Sequence, residues 1–233
     1  MPQIVRADIE SLLRARKLDV TLTSAAPWRA ASADEVAATG IPSLDAALGG
    51  GIRRGHLSEV IGPRSVGRTT VVCRALTAAA ARGEVVALVD PFDRFDPVSA
   101  SAAGLELSRL LWVRDAGAGG TVTLHQHVAG RAVKAMNLVL QAGGFGLVVL
   151  DLADATAPVL RQFPFTTWLR LARIIEGSQT AALVVAAEHL ARSPGGVTIA
   201  LHGQGRWTGA SARSRLLRGI DPRPRIGSVV RSP

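Results

Sequence analysis

Hydrophobic positions along the chain follow two rhythms. From Ile4 to Lys17 the apolar residues Val5, Ile9, Leu12 and Leu13 recur at helical spacing among polar ones, which predicts a helix with a single apolar stripe. Between Asp19 and Ala38 no period persists, so this stretch reads as a linker. From Thr39 onward, short apolar runs alternate with helical stretches. Leu57 to Ile61, Val85 to Val89, Leu110 to Val113, Leu147 to Leu150 and Ala182 to Ala187 suit strands buried on both faces. Thr69 to Arg82, Arg131 to Gln141 and Thr167 to Glu176 carry helical spacing. The alternation predicts an α/β fold, a mostly parallel sheet with helices on both faces. Val197 to Leu201, Leu216 to Leu217 and Ile226 to Val230 read as weaker strands that extend the sheet antiparallel. Three regions follow: an N-terminal helical appendage and linker over 1–38, a core over 39–202, and a C-terminal segment over 203–233.

Composition sharpens the picture by exclusion. With 233 residues, 48% hydrophobic and 19% charged, the chain can bury a sizeable core and is neither fibrous nor a disordered tail. Its longest apolar stretch, Ala181 to Ala187, is far short of the roughly 18 residues that cross a bilayer. Asp8 and Glu10 interrupt the order a signal peptide requires, so the cytoplasm is the expected location, beside the nucleoid if DNA is a partner. The single cysteine, Cys73, reads as a small hydrophobe. The pair His125 and His127, two apart in what reads as an extended region, lacks further metal ligands.

Charge carries functional content. The formal net charge is +9, and all basic residues but Lys17 and Lys134 are arginines, a preference that with no tyrosine reads partly as codon bias. Position matters more: 203–233 holds Arg206, Arg213, Arg215, Arg218, Arg223, Arg225 and Arg231 against one acid, Asp221. This cluster, gathered around Trp207, is the candidate contact for nucleic acid or a protein partner.

The candidate chemistry lies at Gly62-Pro63-Arg64-Ser65-Val66-Gly67-Arg68-Thr69-Thr70, between a predicted strand and a predicted helix. Gly62 and Gly67 let the backbone curl so that its N–H groups converge on phosphate at a helix N-terminus. Thr69 is placed to ligate magnesium, with Thr70 beside it. The usual lysine is replaced by Arg68, which is longer, planar and forked. Asp151, closing the run Leu147 to Leu150, is the matching carboxylate for a magnesium ion. ATP with magnesium is therefore the only cofactor the loop implies, through a degenerate site formed by Gly62, Gly67, Arg68, Thr69, Thr70 and Asp151.

The run from Thr39 to Pro63, TGIPSLDAALGGGIRRGHLSEVIGP, then Val89 to Pro97, Leu110-Leu111 and Asp151 resemble the RecA recombinase core over Val36 to about His189. Within that superfamily the small size, altered loop and Arg-rich C-terminus look most like ImuA, an accessory protein of damage-inducible mutagenesis. The resemblance implies a RecA-like P-loop core. It also implies losses. The glutamate that orients the attacking water falls on Phe92, with Asp93 its neighbour. The aromatic that stacks on adenine falls on Ser99. The γ-phosphate sensor falls on Glu188 or His189, and the two DNA-gripping loops shorten to about Leu152 to Phe165 and Leu190 to Gly196. Arg161 and Arg192 remain near them as phosphate contacts.

The expectation is a RecA-like accessory protein without ATPase activity, serving the SOS response and error-prone translesion synthesis. Its implied partners are RecA itself, an ImuB-type polymerase-related protein and single-stranded DNA, with no membrane partner. Two other readings stay open: an active DNA-dependent ATPase of the recombinase class, and an inhibitor of cell division resembling SulA.

Overall fold

A computed structural model describes residues 32–115, 122–191, 195–211, 214–221 and 224–228. The apolar stripe of Val5, Ile9, Leu12 and Leu13 lies outside the described residues, as do Arg192, Arg213, Arg223 and Arg231.

Eleven strands are described: β1 (Val36–Ala37), β2 (Ile52–Arg53), β3 (Leu57–Ile61), β4 (Val85–Asp90), β5 (Leu110–Arg114), β6 (Phe145–Asp151), β7 (Ala181–Ala186), β8 (Val197–Leu201), β9 (Gln204–Thr208), β10 (Leu216–Asp221) and β11 (Pro224–Ser228). The helices are α1 (Pro42–Leu48), α2 (Arg68–Ala81), α3 (Pro97–Ala102), α4 (Val122–Ala142), α5 (Ala157–Arg161) and α6 (Phe165–Ile175). Seven strands form one sheet in the order β11-β8-β3-β7-β6-β4-β5, parallel throughout except for β11, which runs antiparallel to β8. β9 and β10 pair separately as an antiparallel hairpin. The expected α/β architecture is thus present, but of the three weaker strands expected to extend the sheet antiparallel only β11 does so: β8 joins parallel to β3, and β10 pairs with β9 outside the sheet.

Strand alternation explains the layers. In β6, Val148 and Leu150 face a core shared with Met136 of α4 and with Trp168 and Leu171 of α6. Leu147 and Val149 face the opposite core, built with Leu44 of α1 and Val72, Leu76 and Ala79 of α2. Each central strand is covered on both faces, which is why Leu147 to Leu150 of β6 and Ala181 to Ala186 of β7 are apolar throughout and not alternating.

A further expectation is corrected. His125 and His127 sit in α4, not in an extended segment, and α4 begins well before the predicted Arg131. Glycines and threonines ahead of Val128 obscure the period, yet Val128, Ala129, Ala132, Val133 and Met136 are all buried at helical spacing. Two residues apart on a helix point about 200° apart, so the histidines diverge. The ring of His125 packs edge-on against Phe92 at 5.4 Å.

The amino-terminal edge of the sheet is fastened by Arg54. Its Nε donates to the Val36 carbonyl at 3.2 Å, Nη1 to the Gln179 carbonyl at 2.8 Å, and Nη2 to Glu84 Oε1 at 2.6 Å. Burial pushes the Glu84 carboxyl up, but bonds from Arg82 and Arg54 outweigh it and hold the pKa below the usual value. No single ammonium reaches all three partners. Arg54→Ala is therefore expected to lower stability by about 2–4 kcal/mol in urea unfolding, with Arg54→Lys recovering less than half of the loss.

Candidate functional site at the phosphate loop

The carboxyl ends of the parallel strands gather the candidate residues on one edge of the sheet, the edge at which open α/β sheets bind ligands. β3 delivers the loop 62–67 and α2 leaves it. Gly67 is the residue before the helix, with φ 96°, and no side chain caps the first turn. Ser65 also adopts a positive φ, 63°. The curl is tightly enclosed: a Cβ at Gly62 would come 2.7 Å from the Leu201 carbonyl oxygen. The backbone N–H groups that open α2 thus have no side-chain cap competing for them, and free N–H groups at a helix start behind a glycine-rich curl are the chemistry that binds phosphate. Thr69 and Thr70 are exposed in the first turn of α2.

Arg68, the first residue of α2, is only 8% exposed. Its Nη1 lies 3.5 Å from the Ala153 carbonyl, just beyond the end of β6. Burial lowers its pKa from the ordinary guanidinium value, while the charges of Asp151 and Asp154 pull the other way. Asp151 closes β6, two strands from β3, and its Oδ1 accepts from the Ala153 N–H at 2.9 Å. Burial raises the Asp151 pKa to about 6, helped by the nearby Asp90 and opposed by the Ala153 bond and Arg68. The loop and Asp151, predicted together, are brought together on this edge.

Several contributors escaped the sequence reading. Asp154 pairs with Arg64 of the loop at 3.1 Å and with Arg94 at 2.7 Å. Asp90, 2% exposed, accepts from the N–H groups of Arg94 at 3.0 Å and Phe95 at 2.8 Å and so shapes the turn after β4. Glu59 is fully buried in β3. Its oxygens meet His189 Nδ1, the N–H groups of Leu190 and Ala191, and Thr198 Oγ1, at 2.7–2.9 Å. The available signal was one acid inside an apolar strand.

The positions flagged by the RecA resemblance fall as follows. Phe92 is buried in the core against His125. Asp93 pairs with Arg114 at 3.4 Å. Ser99 is exposed on α3, its hydroxyl bonded to Asp96. Glu188 is exposed, whereas His189 is drawn to Glu59. Between α5 and α6 on one side and the segment 188–190 after β7 on the other lies a cleft of about 470 Å³, lined by Arg161, Phe163, Phe165, Trp168, Glu188 and His189, among others. A larger groove of about 1130 Å³ opens at the opposite edge of the sheet. Its arginines, Arg54 and Arg82, are engaged with Glu84 and backbone carbonyls, so the phosphate-loop edge holds the more reactive chemistry.

The C-terminal arginines disperse over two structures. Arg206 and Arg218 belong to β9 and β10, and Arg225 is exposed on β11. The Arg215 guanidinium stands 5.5 Å from the ring centre of Trp207, which is 51% exposed.

The family model of the RecA N-terminal domain matches residues 28–160. Protein RecA of Chlorobaculum tepidum is 32% identical over 126 residues, and protein RecA of Symbiobacterium thermophilum 35% identical over 125. Each alignment covers 53% of this chain and 33% of the relative, so the match spans about a third of the curated relatives' length.

A carboxyl whose pKa is higher folded than unfolded binds extra protons in the native state between about pH 4 and 6. Stability from Asp151 is therefore present below pH 4, falls as the pH rises through this window, and becomes a net cost above it. Asp151→Asn is expected to raise stability by about 2 kcal/mol at pH 8 and to give no gain at pH 3.5, as read from urea unfolding at the two pH values.

Proposed function

The chain belongs to the RecA N-terminal domain family, and from that premise we propose that it is a RecA-like accessory protein of the ImuA type that binds partners and does not hydrolyse ATP. In this reading it serves the SOS response and error-prone translesion synthesis from the cytoplasm, close to the nucleoid. It contacts RecA through surfaces of the shared core. The Arg-rich C-terminal segment or the N-terminal helix engages an ImuB-type polymerase-related partner, and arginines such as Arg215 touch the phosphates of single-stranded DNA. By capping a RecA filament the protein limits recombination and favours lesion bypass.

The supporting observation is Phe92. In the RecA resemblance this position carries the carboxylate that orients the attacking water. Here an apolar ring fills it, packed into the core against His125 and unable to accept a proton. The adjacent acid, Asp93, is held by Arg114. Phosphoryl transfer to water needs a positioned base or orienting group as well as a phosphate cradle, and the cradle alone binds without turning over. Among the described residues, no helix is long and apolar enough to cross a membrane.

The test pairs two assays. Phosphate release from ATP in the presence of single-stranded DNA is expected to stay at least about a thousandfold below ordinary enzyme turnover. In parallel, added protein is expected to shorten RecA filaments on single-stranded DNA, with RecA retained on the immobilised chain. Turnover that Asp151→Asn abolishes would establish the DNA-dependent ATPase instead. Filaments that grow normally in excess protein, with neither partner retained, would remove the accessory role.

A further inference from the structure

Three guanidinium groups surround the phosphate loop. Arg64 rises from the loop, Arg94 from the turn after β4, and Arg68 from the first position of α2. Arg64 and Arg94 both pair with Asp154, through side chains that are 79% and 68% exposed. Exposed pairs of this kind are weak and exchange partners easily. A phosphate placed over the loop is a competing acceptor for both, and one with more charge than a single carboxylate.

Arg68 differs from the other two. It is almost entirely buried, and it bridges the gap between the start of α2 and the turn that follows β6, ending 3.5 Å from the Ala153 carbonyl. Asp151, the carboxylate that would share a divalent ion with Thr69, lies within range of the Arg68 charge. Magnesium binds through a near-ideal octahedron and keeps several of its waters, so it needs both room and unopposed negative charge. A buried, permanent monocation across the gap supplies neither. A guanidinium offers instead a flat fork of donors that pairs bidentately with phosphate oxygens. An ammonium, by contrast, is a compact point charge on a flexible stem.

We propose that the loop binds the oligophosphate of a nucleotide without a divalent cation, with Arg68 supplying the neutralising charge and Arg64 and Arg94 moving from Asp154 to the outer phosphate groups. This rests on the reading of the loop as a nucleotide-type site. It accounts for why the cradle survives beside a core that lacks a hydrolytic carboxylate. Without a metal to bridge the terminal phosphates and polarise the bond to be broken, the loop holds its ligand and leaves it intact.

Calorimetric titration of the full chain with ATP, and separately with inorganic pyrophosphate, in excess magnesium or in EDTA, tests the proposal. The expected result is a Kd in EDTA within about threefold of that in magnesium. Arg68→Lys is expected to become metal-dependent, with affinity in EDTA falling about tenfold or more below that in magnesium. Asp151→Asn, checked for folding by circular dichroism, is expected to bind ATP more tightly in EDTA, because it removes a repelling charge and no metal ligand that matters. Manganese titration followed by electron paramagnetic resonance gives an independent readout, with no bound signal for the ATP-loaded wild type and one for Arg68→Lys. Pyrophosphate binding as tight as ATP assigns the interaction to the phosphates alone, and tighter ATP binding adds the nucleoside; both support the proposal. Wild-type binding that requires magnesium overturns the inference and leaves the nucleotide site standing. No binding of either ligand in either condition overturns both.

Discussion

Glu59 carries an ionisable side chain with no exposure in the middle of β3, the strand that launches the phosphate loop. An acid in that position is tolerable only if each oxygen is fully engaged, since a buried carboxylate without partners costs several kcal/mol. The four partners come from elsewhere: His189, Leu190 and Ala191 after β7, and Thr198 within β8. One carboxylate therefore fixes the strand of the loop, its two neighbours in the sheet and the segment after β7. The tight approach of Leu201 to Gly62 follows from that placement, because β8 is held alongside β3 and its end lies over the loop. The curl that makes the cradle is maintained from behind.

Around this frame the carboxyl edge of the sheet is organised by charge. Asp90 is consumed by the turn after β4, and Asp154 by two exposed arginines. That leaves Asp151 as the acid whose charge is least well compensated, with a pKa raised to about 6. An expensive carboxylate beside an uncapped helix start is the pattern of a binding site, where stability is given up for readiness. The nearby charge of Arg68 partly relieves it. The hydrolytic position has gone the other way, with Phe92 absorbed into packing.

How much of this was legible in the sequence depended on range. The central strands and the alternation of layers were readable because Leu147 to Leu150 and Ala182 to Ala187 are continuous apolar runs, and runs of that kind arise from burial on both faces. The loop was readable because its residues are consecutive and their spacing is dictated by phosphate geometry. The first turns of α4 were not, since glycine, threonine and histidine there mask a period that only packing reveals. Glu59 was hidden for a different reason: its partners lie some 130 residues away in the chain, so no local pattern announces a role for it. The same holds for Asp154, joined to Arg64 and Arg94 from two other segments, and for the direction taken by the Arg68 side chain. The scatter of the C-terminal arginines over a hairpin and a sheet edge was equally beyond composition, which registers charge and not place.

The strand order has a consequence for how such a chain comes into being. β3 borders β7 and β8, pairing Leu57 with Ala182 and Glu59 with Thr198. While the polypeptide is being synthesised, the phosphate-loop strand is made before β4, β5 and β6, and its neighbours arrive only after them. Until then an apolar segment of five residues has two unpaired edges, and closing the sheet demands contacts between residues far apart in sequence, which slows folding and invites association with other exposed strands. α2 can form at once from its own sequence, but the cradle at its start cannot. The site is thus completed after β4, β5 and β6 have been made, and a chain interrupted before β8 would retain every residue of the loop motif while lacking the strand that closes over it.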